Sequence, residues 1–177
     1  MSSKLKDSNH WVEKLPISKE LRDEMIRETA DRMFRKVAAV KEFLKVDGYE
    51  DICAGLYTFA LEEYGKILLL QSYPTADIIE IKYKDGFMNH HRKFNLIKDA
   101  LTSECLELNK GDFNKEEFNP EEFNVDVAAD LDSRLGVFYT DFIDSADGIK
   151  RIPTVNKEAL EKAVQAFGSF LAKQTFT

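Results

Sequence analysis

The stretch "ALEEYGKILLL", Ala60–Leu70, lies in the most apolar part of the chain and carries Glu62, Glu63 and Lys66 through its middle. Working outward from it, the residues from Tyr49 to Tyr73 are apolar on nearly every side of a helical projection and stop before Pro74. A helix of that kind belongs at the centre of a bundle. Ionised groups inside such a helix cost several kcal/mol, on the order of a whole side chain's burial, unless they are paired. They are therefore either a structural pair or part of a site. Ile52, Leu56, Phe59, Glu63, Lys66 and Leu70 follow spacings of 4, 3, 4, 3 and 4. That places Glu63 and Lys66 on the inward seam, with Glu62 competing as an i, i+4 partner for the same ammonium.

Other helices surround this one. Ser18 is a good N-cap for a long amphipathic helix with Leu21, Met25, Phe34, Val37 and Phe43/Leu44 on its apolar side, ending near Asp47-Gly48. "TADIIEIKYKDGF" fits a short strand or a helical turn equally well. A third helix is predicted from about Phe87 to Leu108, with Phe94, Ile97, Leu101 and Leu108 on one stripe. "FNKEEFNPEEFN" repeats Phe-Asn at 113, 118 and 123, a period of five that suits neither helix nor strand and predicts an ordered loop around 109–125. "VDVAADLDSRLGVFYTDF" reads as a short helix running into an aromatic segment. Asn156 then caps a last amphipathic helix with Leu160, Val164, Phe167 and Leu171 on one side. The expectation is an all-α antiparallel bundle of about five helices, a single domain over 18–177 behind an N-terminal extension, 1–17.

Composition bounds the function. With 177 residues and 44% hydrophobic content the chain can bury one sizeable core. The longest uncharged apolar run, Ile52–Leu61, is about half of what a bilayer span needs, and the first residues lack the apolar stretch of a signal peptide. A cytoplasmic protein with no membrane contact is expected. Cys53 and Cys105 sit in no metal-ligand spacing and read as reduced core thiols. A net charge of −7 argues against a general nucleic-acid coat, so any RNA contact must be local. Lys82, Lys84, Arg92, Lys93 and Lys98 stand against Asp85 alone, the one basic concentration.

Within that concentration, "FMNHHRKF" places His90 and His91 beside the stripe of Phe87, Phe94 and Ile97, with Lys93 one turn beyond His90. An imidazole exchanges protons near neutral pH, and an adjacent cation neutralises developing negative charge. A carboxylate-bridged metal site would need Glu-x-x-His pairs, but the residues three before His90 and His91 are Phe87 and Met88. No metal or cofactor is expected.

The ordered succession "ALEEYGK", "FMNHHRKF", "SRLGVFYTDF", a proline and a closing amphipathic helix resembles the AbiV abortive-infection family of the HEPN superfamily, over roughly Tyr49 to Ala172. The resemblance matches Glu63 and Lys66 to the family's Glu-x-x-Lys and His90 and Lys93 to its His-x-x-Lys. Arg134, Tyr139 and Asp141 match its Arg-to-Tyr-x-Asp segment, and His91 and Arg92 are then neighbours in the binding surface. It implies a helical homodimer, phage defence and metal-independent RNA cleavage. On this expectation His90 is the base, Lys93 and Arg134 stabilise the phosphorane, and Glu63 and Lys66 orient the histidine or share its proton. The chain departs from the superfamily pattern of Arg, four to six residues, then His: at that spacing ahead of His90 stands Lys84 and no arginine. The alternative is a non-catalytic dimer that binds a protein or nucleotide partner, using the Phe113, Phe118 and Phe123 loop.

Overall fold

The structure, a computed structural model, describes residues 12–82, 86–87, 89–108, 142–145, 148–151 and 155–176. Along these the elements are β1 (Val12–Ile17), α1 (Lys19–Phe43), α2 (Glu50–Ser72), β2 (Ala76–Lys82), α3 (His90–Leu108), β3 (Phe142–Ser145), β4 (Gly148–Arg151) and α4 (Lys157–Leu171). The described residues are mostly helical, as expected, but they also form two short antiparallel strand pairs that an all-α class does not include. The loop expected around 109–125 and the short helix expected after it lie outside the described residues.

Ser18 caps α1 as predicted, its Oγ accepting from Leu21 N at 3.2 Å. The buried seam of α1 is Ile26, Ala30, Met33, Val37, Val40 and Leu44, again at spacings of 4, 3, 4, 3 and 4. Phe34 and Phe43, expected on that seam, are 44% and 43% exposed. Each is one residue away from a true seam position, and one residue turns a side chain by about 100° around the axis. After Gly48, whose φ of 89° suits glycine, α2 returns antiparallel against α1. It ends at Ser72 because Tyr73, before Pro74, takes an extended conformation (φ −85°, ψ 139°).

The ambiguous stretch after Pro74 resolves to a strand. β2 pairs antiparallel with β1, Val12 opposite Lys82 and Leu15 opposite Ile79. The register slips between Leu15 and Ile17, where Pro16 has no N–H to give to a ladder. Ile17 is then buried with Leu69 and Tyr73, so the end of the expected 1–17 extension is built into the domain. β3 and β4 form a second antiparallel pair, Phe142 opposite Arg151.

α3 approaches α2 closely at Gly65, where a Cβ would lie 2.7 Å from Lys93 Cβ and 3.0 Å from Lys93 O. Gly65→Ala gains about 1 kcal/mol of helix propensity. Against that stands an overpacking cost of about 1–3 kcal/mol, toward the upper end because one clashing atom is backbone. A lower urea midpoint is therefore expected, and an unchanged or raised midpoint would contradict the close approach. α4, capped by Asn156 accepting from Ala159 N at 3.1 Å, closes the core with Leu160, Val164, Phe167, Phe170 and Leu171.

Candidate functional site

Adjacent residues on a helix point about 100° apart, and at Glu62 and Glu63 this difference separates two tasks. Glu62 turns toward α3 and its Oε1 meets His90 Nδ1. Glu63 turns toward α1, where Lys36 Nζ donates to Oε1 at 3.0 Å, while Lys66 Nζ donates to Oε2 at 3.2 Å. The carboxylate on the histidine is therefore Glu62 and not Glu63, a correction to the expected arrangement. Glu63 and Lys66 do form the expected i, i+3 pair. Their third member, Lys36, lies 27 residues away in sequence, and its only local signal is its place beside the seam residue Val37.

The phase expected for α2 is also corrected. Ile52 and Phe59 are exposed, and the line from Ile52 through Phe59 to Lys66 runs along the least covered side of the helix. A helix apolar nearly all round has no unique apolar stripe, so its spacings alone do not set which side faces in.

Burial pushes the Glu63 carboxyl up, but the hydrogen bonds and charges of Lys36 and Lys66 outweigh this and hold it below the usual carboxylate range. A carboxylate with a depressed folded value adds stability at pH above its unfolded value of about 4.3, and that stability is lost as pH falls through the lower folded value. Thermal melts should accordingly show wild type losing more stability than Glu63→Gln on acidification from about pH 5. Parallel curves for the two proteins would sink this account of the cluster.

His90 opens α3. Asn89 Oδ1 accepts from Arg92 N at 3.0 Å, as an N-cap does, so the imidazole sits in the first turn beside the positive end of the helix dipole. The His90 side chain is 42% exposed, whereas the Glu62 carboxylate behind it is buried. A carboxylate at Nδ1 places the ring proton on that nitrogen and makes Nε2 the basic one. His91 is exposed and Arg92 half-buried. Lys93, expected as a cation reaching substrate, is 2% exposed and packed on Gly65, which removes it from contact with a solvent-borne phosphate. The basic run is thus not one solvated face. Arg134, Tyr139 and Asp141, like the Phe113, Phe118 and Phe123 loop, lie outside the described residues.

No protein-family model, curated protein or solved structure matches the chain. Among the described residues no group of three or more His, Cys, Asp or Glu could hold a metal ion, and no helix is long and apolar enough to cross a membrane. Cys53 is a buried free thiol, and burial raises its pKa.

Proposed function

We propose that the chain is an AbiV-like, HEPN-type abortive-infection effector that cleaves RNA without a metal ion, with His90 as general base. The observation that carries the reading is the buried Glu62 carboxylate on Nδ1 of a half-exposed His90 at a helix N-terminus. Nε2 takes the proton of a ribose 2′-hydroxyl, and the 2′ oxygen attacks the adjacent phosphorus. The bond from phosphorus to the 5′ oxygen breaks, and the leaving oxygen takes a proton back from the imidazolium. The products are a 2′,3′-cyclic phosphate and a 5′-hydroxyl end. Glu62 holds the ring and balances the charge that it gains, and the first turn of α3 favours the negative charge on phosphorus. Lys93 is buried against Gly65 and does not reach the phosphate, which leaves Arg134 as the cation that the family resemblance assigns to the phosphorane.

The test is incubation of total cellular RNA with purified protein in excess chelator, wild type beside His90→Ala. Cutting by wild type alone supports the reading. No cutting by either protein, both folded by circular dichroism, overturns it in favour of a binding module.

A further inference from the structure

Two ammoniums, Lys36 and Lys66, share the single Glu63 carboxylate, which leaves one positive charge unbalanced in a chain of net charge −7. Each Nζ gives one of its N–H groups to Glu63, at 3.0 and 3.2 Å, and among the described residues neither ammonium has a second partner. The two lysine side chains are 25% and 34% exposed, with Glu63 deeper at 10%, so the unused donors are open to solvent. Their place around α2 follows from its turn. At about 100° per residue Lys66 projects about 40° from Glu62 and about 60° from Glu63, between the two and one turn further along. Glu62 marks the side of α2 that faces α3, with His90 on it, and Glu63 the side that faces α1, with Lys36 on it. Lys66 therefore stands between the imidazole of α3 and the ammonium of α1.

We propose, resting on the reading of RNA as the substrate, that Lys36 and Lys66 together hold a backbone phosphate next to the one that is cleaved. A strand that lays its ribose against His90 crosses Lys66 on the way to Lys36, and the neighbouring phosphate meets both ammoniums. Each unused donor then makes a charge-assisted hydrogen bond to a non-bridging oxygen. Glu63 gathers the two cations at one point and is itself the anion with which the phosphate competes. Such a contact fixes the strand in place without reading its sequence. It also supplies a local affinity for polyanions that the overall negative charge opposes. Lys36 and Lys66 are positioning residues, since the reacting phosphorus lies at His90 and not between them.

The experiment is fluorescence anisotropy of the full chain with a labelled single-stranded 2′-O-methyl oligoribonucleotide, in excess chelator and over a range of salt. This strand keeps its phosphates but lacks the hydroxyl that a base would deprotonate, so binding is read without cleavage. Lys36→Met and Lys66→Met, each checked for fold by circular dichroism, are expected to bind about tenfold more weakly whatever the sequence. Their slope of log affinity against log salt should be shallower by about 0.7, the share of one single-strand phosphate. Glu63→Gln removes the competing carboxylate and is expected to bind more tightly than wild type, a gain that a merely structural ion cluster would not give. Lysine variants that bind as wild type does overturn the proposal. So does a wild type that fails to bind at about 100 μM, or a Glu63→Gln that loses affinity as the lysine variants do. A wild type that binds through these lysines yet leaves unmodified RNA uncut supports the phosphate site and sinks the cleavage reading alone.

Discussion

His90→Ala is expected to lower metal-free RNA cleavage by about 10²–10⁴-fold, the range over which a positioned general base contributes. The same loss is expected of His90→Asn, and that second variant separates chemistry from structure. The amide nitrogen of asparagine reaches roughly where Nδ1 stands, so it can still donate to Glu62 and spare the buried carboxylate the cost of losing this contact. It carries no group that takes a proton at neutral pH. Alanine leaves Glu62 without His90, and about 1–3 kcal/mol of stability is expected to go with it. Initial rates on an oligoribonucleotide in chelator, beside melting curves, measure both quantities. Inactivity of both variants with only alanine destabilised is the expected pattern. His90→Asn cutting at the wild-type rate would remove the histidine from the chemistry. Glu62→Gln should fall between wild type and the His90 variants, because it keeps an acceptor for Nδ1 but removes the charge that balances an imidazolium.

The contrast between Glu62 and Glu63 also shows where sequence ceases to inform. The existence, length and central place of α2 were legible from its continuous apolar run and Pro74. Its rotation was not, since a helix with core on most sides offers no polar face to fix the phase. The expected seam came out turned by enough to exchange the two glutamates. That two of the three histidines stand at the start of a strongly patterned helix was legible; the choice between His90 and His91 came from the family resemblance and not from the pattern. Lys36 was not, because pairing between α1 and α2 obeys no spacing rule within either. The strands were hidden for a similar reason: β1 finds β2 about sixty residues later in sequence, and a two-stranded ladder leaves only a faint alternation in each strand.

Phe167→Ala is expected to cost about 3–5 kcal/mol, the largest stability loss considered, while Phe34→Ala should cost under about 1 kcal/mol. Both phenylalanines fall on the apolar side of their helices by sequence pattern, so the comparison isolates what packing adds. Phe167 is fully buried; its ring meets Tyr57 edge-on at 6.0 Å and Tyr64 edge-on at 5.8 Å, and stacks on Phe170 at 6.3 Å. Removing it opens a cavity between α4 and α2 whose walls, three aromatic rings, cannot collapse without leaving their own contacts. Phe34 stands outside the α1 seam with one edge contact to Phe176 at 5.9 Å, and water fills the space it vacates. Since whole-domain stability is about 5–15 kcal/mol, Phe167→Ala consumes a large part of it and Phe34→Ala almost none. Urea unfolding followed by circular dichroism reads both. Equal losses would mean that α1 is rotated by one residue from the seam of Met33, Val37 and Val40. That rotation would also carry Lys36 away from Glu63, so this measurement tests the frame on which the candidate site is built.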